Sequence, residues 1–589
     1  MRYTISLIFI YMVASNLNAS VKYEVSFPKA NQHYTQITIE VDKAKSNVVR
    51  FSMPVWTPGS YKVREFSQHV DKVWYEAGDG SSNPVRLDKN TWECAAKKGD
   101  KLRFTYELYA FELGVRTSYV DQHMAFLHGP SAFIYAEGYV NEQIEIMFKP
   151  LEQWKNIEMP LPRSKKANHT FECANYDLLA DSPVALGNFE INTYHTAGVP
   201  HTIVMIGTGN YDMDKVTSDF KKITDEEAKM FDNKHPSDQY IHFIQNVDKG
   251  GGGLEHLNCQ TSQVNRWVYD KEEPYLKFLG LISHEYFHLW NVKRIRPIEL
   301  GPFDYNKENY TDLLWVAEGI TSYFDDLFLK RAGFHTEESY LKAVAYNINR
   351  LENQPGRNVM SLDQSSKLAW VKAYLSNENS NNVTISYYNK GMLVAWMLDV
   401  EIFSSTNGDK RLDDVMLTLF NRYYKDLNRG FSYSEFVETC ADVCGKPMND
   451  FFDRYTKTTE ALPYNDYLKT TGYALINKAE EKPSLGITTK SENGKCVISF
   501  IRSGSSAAEA GLSVNDELIS INGWRIVDKI NTSVPGYNTD TEVDLVYARD
   551  GRMYGAKAAL KKSETVKYEI TAEEVLTEEQ KKFQKVWLN

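Results

Sequence analysis

Cysteine is scarce: the chain has six in 589 residues. So few cannot staple a protein of this length, which excludes a disulfide framework. Cys94, Cys173, Cys259 and Cys496 are isolated, while Cys440 and Cys444 stand four apart and can face each other on a helix. No C-x-x-C occurs, which argues against a cysteine-based zinc site. Positive charge is also in deficit. Lys and Arg number 67 against 78 Asp and Glu, a formal net charge of −11. A nucleic-acid binder would show a basic stripe, so no nucleic-acid partner is expected. Blocks of like charge and low-complexity tracts are missing too. Past the N-terminus no apolar run reaches the roughly 20 residues of a membrane span, so no transmembrane segment is expected in the mature chain.

What is present is the make-up of a globular protein, with 42% hydrophobic and 25% charged residues. The length suits roughly two to four domains. The opening stretch, "MRYTISLIFIYMVASNLNAS", has one Arg, a short apolar core over residues 5–14 and small residues near Ala19. This is the layout of a signal peptide over residues 1–19, and it implies a secreted or periplasmic protein. No Cys follows the apolar core, which argues against a bacterial-type lipid anchor.

The rest reads as a multidomain α+β chain. Residues 20–210 alternate apolar and polar in short runs such as "DKLRFTYELYAFEL", the pattern of an antiparallel β domain. Within it, "VWTPGSY" (Val55 to Tyr61) is a turn cluster that carries no chemistry by itself. Residues 211–475 change to helical periodicity after a few strands, as in a thermolysin-like, mostly helical catalytic unit. Residues 476–562 are strand-rich again, and 563–589 read as a short helix or tail.

The chemistry starts at "SHEYFH", Ser283 to His288. His284 and His288 are four apart and share one helix face. Pro274 suits a first turn and Pro297 ends the run, so a helix of about 20 residues is expected. The preceding "FLGLI" is wholly apolar, so the helix is buried. Burying His, Glu and His without partners costs several kcal/mol, and a metal satisfies all three. The pattern alone does not decide between a zinc site and an ordinary buried helix. A catalytic zinc needs a third protein ligand and an open position. "WVAEGITSYFDD" offers Glu318 in apolar surroundings, with Gly319 beside it for close packing. Asp325, two turns further on, can accept the free ring N–H of a zinc-bound His or be a surface carboxylate beside Asp326. "GGGLEH" places Gly252 and Gly253 where a substrate backbone can approach, and Glu255 where it can meet an amino terminus. Its alternative is a flexible hairpin with an exposed Glu. "SYYNKG" holds Tyr388, a candidate O–H donor to an oxyanion.

Together, H-E-x-x-H, W-x-x-E-G, G-G-L-E-H and Y-x-K-G resemble the gluzincin aminopeptidases. The distance from His288 to Glu318 exceeds that of the alanyl and leucyl aminopeptidases. It is similar to that of the glycyl aminopeptidase family of PDZ-containing zinc peptidases. That family also carries W-x-P-G-S-Y, here Trp56 to Tyr61, and an N-terminal domain end like "YDLLADSPVALGNFE". The resemblance implies one zinc ion on His284, His288 and Glu318, with Glu285 as general base. It further implies Glu255 on the substrate amine, Tyr388 on the oxyanion, Asp325 behind a ligand, and a preference for N-terminal Gly or Ala. The expected partners are peptides with a free N-terminus. "SAAEAGLSVNDELISINGWRI" resembles a PDZ core, and "SLGI" (Ser484 to Ile487) looks like its carboxylate-binding loop for a peptide C-terminus. Pro535 and Gly536 interrupt the helix that would form the groove. Two rival readings stand beside this one: a zinc endopeptidase that captures substrates through the PDZ-like domain, and a non-catalytic, zinc-containing peptide-binding protein.

Overall fold

The computed structural model describes residues 20–588 apart from 79, 528–529 and 531–535. The expected signal peptide and Pro535 therefore lie outside the described residues. The chain divides into two bodies. The first comprises residues up to 55, 66–113 and 117–188; the second comprises 56–65, 114–116 and 189–589.

The first body is the expected β domain. Its largest sheet has seven strands among the described residues, and in it Val21–Lys29 pairs antiparallel with the central strand Tyr34–Val41 and parallel with Ile144–Lys149. Alternate residues of Val21–Lys29 are buried, the period-two pattern of a half-covered sheet. The body ends at 188 rather than near 210, because the next two strands join the sheet of the second body.

That second sheet holds β1 (Glu190–Thr196), β2 (Val199–Ile206), β3 (Tyr240–Val247), β4 (Gly252–Glu255) and β5 (Cys259–Asn265), in the spatial order β1-β2-β3-β5-β4. β4 is thus an edge strand, paired among the described residues only with β5. Helix α1 (Met213–Met230) is capped by Asp212 and buries Val216, Phe220 and Ile223. These side chains join Ile203 and Met205 of the sheet and Phe278 and Ile282 of α2 (Glu272–Phe287) in one core. Each large apolar side chain buried there contributes about 1.5–3 kcal/mol. α2 is shorter than expected. It starts with Glu272 and Glu273 facing its positive end and carries Pro274 in the first turn, but the chain turns out of the helix right after Phe287.

Three more helices bear on the site. α3 (Ile320–Arg331) continues a π-helical turn, Trp315–Gly319. α4 (Glu337–Glu352) is capped by Thr336. α5 (Tyr387–Ser405) is capped by Ser386 and is apolar and buried on nearly every side. Gly319 and Gly391 face each other so closely that a Cβ on either would overlap the other's backbone. That close crossing brings the π-helical turn against the start of α5. No described helix is long and apolar enough to cross a membrane.

The PDZ-like region has its own core, built from residues such as Ile487, Ile498, Leu518 and Leu545. The last segment is not a free tail. Tyr568–Ala572 pairs antiparallel with Tyr473–Asn477, and the helix Glu578–Trp587 buries Phe583 and Trp587. The Trp587 indole N–H donates to Tyr323 on α3 at 3.0 Å.

Candidate active site

The end of α2, the π-helical turn, the start of α5 and the edge strand β4 meet at one point. The Nε2 atoms of His284 and His288 each lie 3.3 Å from the same oxygen of Glu318, Oε2. Two ligand atoms held at about 2.0–2.1 Å by one tetrahedral zinc ion sit about 3.3 Å apart, so the spacing fits such an ion. The other ring nitrogens support the same reading. His284 Nδ1 is 2.9 Å from Asp325 Oδ2, and His288 Nδ1 is 2.6 Å from the Asn291 carbonyl. Both partners accept only, so in the neutral rings both Nδ1 atoms carry the hydrogen and both Nε2 lone pairs face the Glu318 carboxylate. Three electron-rich atoms around one point repel unless a cation lies between them.

The titration behaviour agrees. Burial works against a charged His284, yet its hydrogen bonds to Asp325 and Glu318 hold its pKa well above the ordinary value. His288 is also raised, its burial outweighed by the charge of Glu318. Burial opposes a charged Glu318, but His288 and His284 outweigh it and take the carboxyl down to about 2. These shifts describe a hole that favours positive charge.

Glu285 follows His284 and is buried; burial pushes its pKa up to about 7 against the pull of the two histidines. Its Oε2 has no hydrogen-bond partner. Gly253 lies so close that a Cβ there would overlap the Glu285 carboxylate, while Gly252 is exposed at the start of the same strand. Glu255 ends β4, is 4% exposed, and its Oε1 is likewise without a partner. Glu255, Glu285 and His288 present ligand atoms within 4.8 Å of one another. The hairpin alternative for Glu255 therefore does not describe this residue, which is neither exposed nor remote. The Tyr388 ring centroid is 6.1 Å from that of His284. Burial, then the charge of Glu318, lifts its pKa well above 10, so the phenol stays a donor. Asp325 and Glu318 grip opposite nitrogens of the His284 ring, so Asp325 is not a surface carboxylate.

Several neighbours were not singled out from the sequence. The Asn291 amide donates to the carbonyls of Val316 and Ala317 and to Thr321 Oγ1, tying the turn after α2 to the turn that carries Glu318. Its only sequence signal is an Asn three residues past the second histidine. Gly59, with φ of +82°, lies against the Glu255 carboxylate so tightly that a Cβ would overlap it. The "WTPGSY" cluster thus belongs to this site. Trp56 donates to the Asp304 carbonyl at 2.7 Å, and Tyr61 packs edge-on against Trp370. Arg116 donates to the Gly253 carbonyl at 2.9 Å. No local pattern could reveal Gly59 or Arg116, since each stands more than 130 residues from its partner in the chain.

Models of three families match the chain. One described as M61 glycyl aminopeptidase covers residues 277–394, one for the M61 N-terminal domain covers 22–188, and a PDZ domain covers 475–537. The chain belongs to the M61 glycyl aminopeptidase family. It is accordingly a metallopeptidase of aminopeptidase type, and the family implies a metal cofactor. The M61 match spans all of α2 from Lys277 onwards, the π-helical turn and the first part of α5. No curated protein matches. Among solved structures, an aminopeptidase N family protein from Idiomarina loihiensis is similar with a TM-score of 0.87 and 27% identity, over 97% of this chain and 100% of that one. An M1 zinc metallopeptidase mutant from Deinococcus radiodurans bound to a Tyr-Ser-Ala substrate is more remote. Its TM-score is 0.46 and its identity 9%, over 75% of this chain and 94% of that one. Yeast LTA4 hydrolase in complex with bestatin has a TM-score of 0.46 and 12% identity, over 75% and 68%.

Proposed function

We propose that this M61 family member is a single-zinc aminopeptidase that removes small N-terminal residues, Gly or Ala, from peptides with a free amino terminus. His284, His288 and Glu318 would hold the ion, and Asp325 and the Asn291 carbonyl would fix the two imidazoles. Zinc held there supplies a Lewis acid and an acidified water at neutral pH. Glu285, with its free buried oxygen, takes a proton from the attacking water and returns it to the leaving amine. Tyr388 donates its O–H to the carbonyl oxygen as negative charge develops on it. Gly252 and Gly253 let the substrate backbone lie along the open edge of β4.

The observation that carries the reading is the Glu255 end of that edge. A buried carboxylate oxygen without a partner lies beside the triad. Leaving it unpaired costs about 1–3 kcal/mol or more, and a substrate ammonium group satisfies it. Gly59 lies so close to the same carboxylate that a Cβ there would overlap it, which narrows the space before the amine. This disfavours the endopeptidase reading. The family's glycyl description supports the small-residue preference. The leader at residues 1–19 supports export from the cytoplasm.

The test is a panel of chromogenic amino-acid amides, run with and without a chelator. Rapid, chelator-sensitive cleavage of the Gly and Ala compounds is expected, with bulky residues and N-blocked compounds poorly cleaved. Glu285→Gln should retain zinc by elemental analysis and lose about 10²–10⁴-fold in kcat. Equal cleavage of free-amine and N-blocked substrates would sink the aminopeptidase reading, and an active Glu285→Gln would remove the assigned base.

A further inference from the structure

A cavity of about 920 Å³ is lined by His284 and Glu285 and does not include Glu255 in its wall. Gly252, Gly253, His284 and Glu285 lie on its wall at one end. From there it follows α2 back to Glu273, eleven residues or about 16 Å along the helix. An extended peptide covers that distance in about five residues. With its amine at Glu255 and its backbone on β4, a substrate runs past Gly253 and Gly252 into this cavity. The space therefore receives the residues that follow the scissile bond.

Its charged lining is uneven. Of the carboxylates, Glu273 pairs with Lys277 at 2.8 Å and Asp325 accepts from His284 at 2.9 Å, while Asp326 lies 3.5 Å from the His335 ring. Glu285 belongs to the catalytic centre. Two guanidinium groups in the lining have no carboxylate partner among the described residues. Arg350, near the end of α4, has no hydrogen bond or ion pair among the described residues. Arg116 spends one N–H on the Gly253 carbonyl, has no carboxylate partner, and keeps a buried Nε–H without an acceptor. A planar fork with unused donors is the side chain best matched to a carboxylate. Lys342 lies on α4 about 12 Å from Arg350 and is paired with Glu338 at 2.6 Å.

We propose that Arg116 and Arg350 form a carboxylate subsite on the leaving-peptide side. The preferred substrates are then short peptides whose C-terminal carboxylate, or an Asp or Glu side chain, falls within about four residues after the scissile bond. This rests on the aminopeptidase reading above, because Glu255 sets the direction of the chain.

Two substrate pairs test it by kcat/KM. The first is Gly-Ala-Ala-Ala as free acid and as C-terminal amide. The second is the amide of Gly-Ala-Glu-Ala beside that of Gly-Ala-Gln-Ala. One charge-assisted bond gives about a tenfold or larger preference for the carboxylate member. A preference in the first pair assigns the subsite to the C-terminus, and one in the second assigns it to an acidic side chain. The ratio should fall towards one in Arg350→Gln and Arg116→Gln and survive in part in Arg350→Lys, which a general loss of folding would not produce. Equal cleavage within both pairs by the wild type overturns the subsite and leaves the aminopeptidase reading intact. A preference undiminished in both glutamine variants overturns its assignment to these arginines. No cleavage of any free-amine peptide removes both readings together.

Discussion

Two places in this protein are built like receptors for a charged peptide end, and they differ in how their own polar groups are used. Around the triad, Glu255 Oε1 and Glu285 Oε2 are buried and have nothing to bond. In the PDZ-like region, the loop resembling a carboxylate receptor has already spent a donor on itself: the Gly486 N–H bonds Ser484 Oγ at 2.9 Å. Arg502 beside that loop is also committed, to Glu564 at 3.0 Å and to the Asn353 carbonyl at 2.9 Å. Unpaired buried groups store a free-energy cost that a ligand relieves on binding, whereas a loop satisfied internally has little to gain. The difference separates a site poised for substrate from a module held against α4. The sharpest way to break the comparison is to disable the poised side. Glu255→Gln keeps the shape but removes the charge that the proposed function sets against the substrate amine. It should cost about 10²-fold in kcat/KM for free-amine peptides, with metal content unchanged, measured by steady-state kinetics beside elemental analysis.

Acid offers a second, smaller contrast. Three histidines packed behind α2, His201 and His242 buried and His235 half-buried, are held neutral: desolvation takes His201 to about 3 and His235 to about 4, and His242 well below its ordinary value. The PDZ-like region from 476 to 562 contains no histidine. Because these pKa values are depressed in the folded protein, the unfolded chain binds more protons below pH about 6.5. Stability is then full above that pH and is lost as pH falls towards about 4. Between pH 7.5 and 5.0 the Tm should drop by about 5 °C in scanning calorimetry. Hydrogen exchange on the full chain at pH 5.0 should rise first in β2 and β3, which carry His201 and His242, and not in the PDZ-like strands. The mildest perturbation is Ser484→Ala, which frees the Gly486 N–H. Affinity for a peptide with a free C-terminus should rise a few-fold by calorimetric titration, while peptidase kinetics stay within about twofold.

The residues nearest the reaction could be read because their chemistry is written in short intervals. His284, Glu285 and His288 fit one helical turn, and Glu318 and Asp325 fit two turns of the next helix, so a period of 3.6 places them. The order of β domain, helical unit and PDZ-like module was readable from where the period changes. What escaped has a common cause. Strands 190–206 look like any other β strands in sequence, and only their pairing assigns them to the second sheet. The π-helical turn under Glu318 leaves the apolar pattern of "WVAEG" unchanged.

By itself, the sequence determined that His284, Glu285 and His288 lie together on one helix and that a glycine-rich strand precedes it, because local spacing controls which side chains share a face. Only the tertiary structure decided that Gly59 closes one end of that strand. The same holds for the cavity whose lining includes Arg116 and Arg350, and for the Gly319–Gly391 crossing near Tyr388, whose ring lies beside His284. Those contacts join segments far apart in the chain, and long-range packing leaves no periodic trace in the residues that make it.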